Sequence, residues 1–187
     1  MGGRPHFYGE HAVAGTDNYS ILKGIVSFTP AGTGATARDL GNCTALTYQP
    51  SVEYLDHYSS RSGVKAKDKS VASQVGATVA FTLDEFTLEN LALGLGGILD
   101  ASKKVLTILG TDGVEGALKV VGTNDVGRRL QLDVPSVKLK AGSSVGFITD
   151  EWAEIEIEGE VQRADGAFPW GKITDITDGL PTEGGAG

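Results

Sequence analysis

At 187 residues with a formal net charge of −8, the chain can bury one real core but not two comfortable ones. Its sign argues against a sequence-specific nucleic-acid binder, which neutralises phosphates with clustered Lys and Arg. A single cysteine, Cys43, excludes an internal disulfide, and no stretch approaches the roughly twenty apolar residues of a membrane span or the basic-then-apolar start of a signal peptide. The expectation is one domain, 1–187, made and kept in a cytosol.

In chain order, Met1 to Tyr19 has no periodicity and reads as an N-terminal arm. His6, Glu10 and His11 lie close together there, but their spacing fits no standard zinc pattern and no cysteine pair supports it. A first strand is expected near Lys23 to Phe28. Gly32-Thr33-Gly34 lacks the Lys and Ser/Thr of a P-loop and reads as a turn. Cys43 reads as a small buried hydrophobe beside the next strand, a reactive thiol being the alternative.

Two alternating segments follow, Ala45 to Tyr54 and Ala72 to Thr82. Leu46, Tyr48, Pro50, Val52 and Tyr54 share one face of the first, and Thr47, Gln49, Ser51 and Glu53 the other. In the second, Val75, Ala77, Val79, Phe81 and Leu83 form the apolar face, and Gly76, Thr78, Ala80 and Thr82 the small, mostly neutral one. The pair reads as a hairpin with a single buried face. Between them, Asp56 to Ser70 carries His57, Tyr58, Arg61, Lys65, Lys67 and Lys69 with almost no aliphatic content. It sits at the length, about twelve to fifteen residues, beyond which unstructured connections are normally functional or disordered. Folded back on itself it would reach roughly 20 to 25 Å at about 3.3 Å per residue, far enough to touch a neighbouring subunit. The plainer alternative is a solvated surface loop.

A short helix is expected next, with Thr87 as N-cap, Glu89 in the first turn, and Leu88, Leu91, Ala92 and Leu95 on one side. Gly96-Gly97 stops it. A helix of two to three turns is not stable alone and must lay its leucines on a sheet. Because Gly94, Gly96 and Gly97 close a helix instead of opening one, they do not form a phosphate loop. Further strands are expected near Lys104 to Leu109, Glu115 to Val121, Arg128 to Val134, Ser144 to Ile148, Glu151 to Val161 and Gly171 to Ile176, before a Gly-rich tail at 178–187. With 27 glycines, few aromatics and short alternating segments, the chain reads as an antiparallel all-β sandwich or barrel with one short flanking helix.

The segment Glu151 to Val161 alternates almost regularly, with Ala153, Ile155, Ile157 and Val161 facing one way and Glu154, Glu156, Glu158 and Glu160 the other. Four glutamates spaced about 7 Å apart repel one another. The stripe could line a pore and repel a phosphate backbone, blunt an edge strand against aggregation, or pair with lysines of a neighbouring subunit. No serine elbow or nucleophile-base pair is discernible, and an enzyme or ligand carrier would need converging polar groups that the sequence does not nominate.

Three runs resemble the major tail tube protein of long, non-contractile-tailed bacteriophages: Leu40-Gly41-Asn42 with Leu46-Thr47-Tyr48, Val52 to Gly63, and Phe81 to Thr87 with Asn90 to Leu93. The likeness is strongest over residues 40–97. It implies a non-enzymatic structural virion subunit without cofactor or metal, assembled in hexameric rings whose strands form a continuous inner β-barrel. The rings stack into a tube around a tape-measure protein, bounded by tail terminator and tail-tip proteins, and the tube later conducts double-stranded DNA. On this reading Tyr54, Asp56, His57, Tyr58, Arg61, Lys65, Lys67 and Lys69 are inter-ring contacts. Thr47, Gln49, Ser51, Glu53, Thr78 and Thr82 form the lumen face. A decoration module with an immunoglobulin-like sandwich, or a secretion-system tube protein, would share much of the pattern.

Overall fold

The computed structural model describes residues 19–61 and 63–177. The expected N-terminal arm up to residue 18, the His6, Glu10, His11 group and the tail at 178–187 lie outside the described residues. The elements are β1 (Gly24–Pro30), β2 (Arg38–Asp39), β3 (Cys43–Ser59), β4 (Ala66–Leu83), α1 (Leu88–Leu95), β5 (Ile98–Leu99), β6 (Leu106–Thr107), β7 (Gly113–Gly122), β8 (Leu130–Lys140), β9 (Ile155–Val161) and β10 (Lys172–Asp175). Eight strands make one sheet in the order β2-β1-β7-β8-β9-β4-β3, with β10 added on β8, and β5 pairs β6 separately. The fold is an antiparallel all-β sandwich with one short helix, as the alternation and glycine punctuation imply.

The sheet changes partner along β8. Its first half, Leu130 to Asp133, pairs β10, whereas Val137 to Leu139 pair β9. Between them Gly116 opposes Val137 and Leu118 opposes Val134, so β8 carries an extra residue there. Pro135, which has no amide hydrogen to donate, falls in this bulge, and bulges bend a strand. Expected to end at Val134, the strand therefore continues through the bend to Lys140.

The two halves fold over a core of Val26, Phe28, Leu40, Val79, Phe81, Leu83, Leu118, Val134, Val137, Leu139, Ile155 and Ile157. Tyr48 reaches across to donate its hydroxyl to the Trp170 carbonyl at 2.7 Å. An apolar cleft of about 320 Å³ remains between β1 and the start of β3, with Val26, Leu46, Tyr48 and Leu132 in its lining. Cys43 sits at its rim, only half-buried, with Sγ 3.1 Å from the Ala45 carbonyl. Partial burial pushes its thiol pKa up, opposite to what a reactive thiol needs.

Three expected strands are curtailed. Lys104 to Leu109 contributes only Leu106–Thr107, because the Asp100 carboxylate accepts from the amides of Lys104 at 2.9 Å and Val105 at 3.0 Å and ties the chain into a turn. Lys103 and Leu109 take left-handed backbone angles on either side, φ 56° and 55°. Ser144 to Ile148 forms only an isolated bridge, Val145 to Ile155, and β9 starts at Ile155, not at Glu151.

α1 starts and stops as its sequence dictates. The Thr87 hydroxyl accepts from the Asn90 amide at 3.2 Å, and Gly96 closes the helix in the left-handed region, φ 58°. Burial extends beyond the leucine stripe, however: Asn90 to Gly94 are all buried. Asn90 Nδ2 donates to the carbonyls of Leu40 and Glu85, both at 2.9 Å, and its Oδ1 accepts from Arg38 Nη1 at 2.8 Å. One side chain thus fastens β2, the chain entering β3 and the chain leaving β4. Asn90→Leu, which leaves two carbonyls and a guanidinium without their partner, is expected to cost about 2–3 kcal/mol. The midpoint of urea unfolding measures it.

Candidate assembly surfaces

Residues directly opposite in a sheet share a face. Thr47 opposes Ala80, Gln49 opposes Thr78, and Ser51 opposes Gly76. On the other side of β4, Thr78 opposes Glu160, Ala80 opposes Glu158, and Thr82 opposes Glu156. The candidate lumen residues Thr47, Gln49, Ser51, Thr78 and Thr82 and the glutamates of β9 therefore form one continuous outer face over β3, β4 and β9. Sequence alone left them as separate sets, since register across strands is not written in either one. Glu53 lies just beyond this face on the projecting part of β3, and Glu154 is exposed immediately before β9.

Beneath the face the pattern inverts: Ile155, Ile157, Gly159 and Val161 are all buried while Glu156, Glu158 and Glu160 are exposed. Lys140 Nζ lies 2.9 Å from Glu160, and Lys138 is engaged by Asp112 at 2.7 Å. Glu156 and Glu158 have no ion pair among the described residues, so the face stays acidic. β9 pairs β4 along its whole length but β8 only over Gly159 to Val161, so protection of a free edge is still a use for Glu156 and Glu158; the long edge strand is β3.

The second surface is the hairpin itself. The last β4–β9 pair is Ala77 with Val161, beyond which Ser51 to Ser59 pair only with Ala66 to Gly76. What reads as a long loop from Asp56 to Ser70 is mostly paired strand. It is a two-stranded ribbon that runs out about 25 Å at the usual rise of about 3.3 Å per residue. Arg61 and Lys65 sit in the terminal turn, and Tyr54, Asp56, His57, Tyr58, Lys67 and Lys69 stand on its arms.

Cross-strand polar pairs replace the missing apolar alternation. Asp56 Oδ1 accepts from Ser70 Oγ at 2.6 Å and from Lys67 Nζ at 2.8 Å, and His57 Nδ1 lies 2.6 Å from Asp68 Oδ1. These contacts are exposed, and each contributes little by itself. Register breaks at Glu53/Tyr54 and His57/Tyr58 add twist. The ribbon also exposes Val52, Tyr54, Leu55, Tyr58, Val71 and Val75. Val52 faces Val75, and Leu55 faces Val71 three positions further out, so apolar groups stand on both sides. An isolated two-stranded ribbon is marginal in water, and apolar side chains on both its sides invite a partner.

Among the described residues no helix is long and apolar enough to cross a membrane. A family described as protein of unknown function UCP028589 matches residues 19–103, the stretch that carries β1 through β5 and thus the whole ribbon and α1. No curated protein matches the chain.

Lys67 and Ser70 hold the Asp56 carboxyl below its ordinary value of 3.8. A depressed carboxylate stabilises the folded form above its unfolded pKa, and that contribution is lost as the pH falls through the folded value. Amide exchange should therefore show ribbon protection at Leu55 to Tyr58 fading below about pH 4, while Val79 to Leu83 stay protected.

Proposed function

We propose that this chain is the subunit of a hollow tail tube of the non-contractile phage type, a structural virion protein without turnover. The observation that carries the reading is the joint placement of one acidic, hydroxyl-lined sheet face and one ribbon projecting from its end. Three features of the face suit a lumen wall: it is polar, its side chains on β3 and β4 are small, and its unpaired charges repel phosphate. In a ring, neighbours close the free edge of β3 into a shared barrel, which removes the exposed donors and acceptors of a 17-residue edge strand. The ribbon then reaches the adjacent ring. A tape-measure protein fills the tube during assembly, terminator and tip proteins bound it, and DNA passes without being gripped.

The same features fit a secretion-system tube. A monomeric decoration module has no use for a ribbon with apolar groups on both sides, and this favours the tube.

Electron microscopy of the purified chain, concentrated at moderate salt, tests the reading: hollow tubes or six-fold rings are expected, and a monomer at every concentration with every seed overturns it. Among the ribbon cations Lys67 is paired with Asp56, so replacing it would disturb the hairpin as well as any contact. Arg61→Glu/Lys65→Glu/Lys69→Glu spares that pair. This variant should keep the wild-type unfolding free energy to within about 0.5 kcal/mol per substitution, as surface substitutions do, and lose stacked tubes by sedimentation.

The lumen assignment has its own test. Glu156→Lys/Glu158→Lys/Glu160→Lys should yield tubes that retain double-stranded DNA on pelleting at low salt and release it as salt rises. Tubes that ignore DNA as the wild type does would place these residues away from the lumen.

A further inference from the structure

Resting on the tube reading, we propose that the receptor for the ribbon tip is the loop between Val145 and Ile155 of a second copy, so that rings stack ribbon to loop, head to tail. Register places the two at opposite poles of the sheet. Ser59 opposes Ala66 at the ribbon end, whereas Cys43 opposes Leu83 and Leu83 opposes Ile155 at the other. The loop leaves that second pole through the Val145–Ile155 bridge. Near its start the ring of Phe147, itself largely exposed, meets that of Phe86 edge-on at 6.2 Å between centroids.

Beyond this contact the loop presents large apolar side chains that pack on nothing among the described residues. Ile148 is 99% exposed and Trp152 93% exposed. A free Trp of this kind is unusual on a monomer surface, and Trp is among the residues that dominate protein contacts. Asp150, Glu151 and Glu154 surround Trp152 along one open concavity. None of the three has an ion pair among the described residues, and neither have Arg61, Lys65 and Lys69 on the ribbon.

The two poles are therefore complementary in both respects. One offers unpaired cations beside Tyr54, Leu55 and Tyr58; the other offers unpaired carboxylates beside Ile148 and Trp152. Ribbon against ribbon would set like charges together and close into a dimer. Ribbon against loop repeats by translation, and such a heterologous contact makes an open filament. The charges choose and orient the partner, and the buried aromatics supply the affinity.

Two single-cysteine chains test the contact directly: Cys43→Ser/Lys65→Cys and Cys43→Ser/Glu151→Cys, mixed and oxidised at assembling concentration. The heterodisulfide should exceed both homodisulfides. No excess, or homodisulfides alone, overturns the proposal. The charge swap is the second arm. Asp150→Lys/Glu151→Lys/Glu154→Lys alone should leave rings that do not stack, and the same chain carrying Arg61→Glu/Lys65→Glu/Lys69→Glu should stack again. Tubes from the loop variant alone, or loss of its rings, would show that the loop is idle or joins neighbours within a ring, and either result sinks the assignment. If the wild-type chain makes neither rings nor tubes yet the heterodisulfide forms in excess, the tube reading falls while this contact stands.

Discussion

The unequal length of neighbouring strands governs this molecule. β4 has 18 residues and is paired along its whole course by the 17 of β3, but β9 covers only its last part with 7. A strand covered on both sides belongs to a sheet and can bury a face. The same strand with one partner is a ribbon in water. One hairpin thus changes character near Ala77 and Val161, serving on one side as the sandwich wall and on the other as a projecting ribbon. Its direction is set where the strands leave the core, and the register breaks at Glu53/Tyr54 and His57/Tyr58 twist the part beyond.

The placing of the hairpin depends on how the far end is held. Asn90 ties the approach to β3 and the exit from β4 to the first turn of α1, and Leu91 and Leu93 place the helix in the core. A helix of eight residues has little stability of its own; here it is a bolt through the base of the hairpin. Its amide partners matter more than its leucines for this purpose, since apolar contact holds a helix down but leaves it free to slide, whereas three hydrogen bonds to named atoms set a register.

The sequence was most legible where one physical signal dominated. Alternation located β3, β4 and β9 and assigned the faces of Val79, Phe81, Ile155 and Ile157 correctly, and capping chemistry marked both ends of α1. It failed where two signals competed. Lys65 to Ser70 has no apolar period, so its strand character, held by Asp56, Ser70, Lys67 and the His57–Asp68 pair, was invisible to a reading built on hydrophobicity. Val145 to Ile148 has the right composition for a strand but no neighbour along most of its length. Asn90 gave no sign of burial at all, because a polar residue on a helix looks solvated until its partners are known. The candidate face was half legible: each strand showed which residues lie together, but only the register between β3, β4 and β9 joined Gln49 to Thr78 and Thr78 to Glu160.

Register also gives the net charge a location. An acidic total does not say where the acid stands, and a chain with its carboxylates scattered would have no polarity to use. Here Asp150, Glu151, Glu154, Glu156, Glu158 and Glu160 stand on the outer face of β9 and on the loop before it, Arg61, Lys65 and Lys69 stand on the ribbon without an ion pair among the described residues, and the lysines of β8 are taken up by Glu160 and Asp112. The molecule is thus charged along its length and across its thickness at once. On the proposed reading, unpaired cations at one pole and unpaired carboxylates at the other orient the addition of copies, and an acidic face turned to the lumen repels a polyanion. Both properties follow from alternating strands in which polar residues were placed by register, and neither requires a pocket.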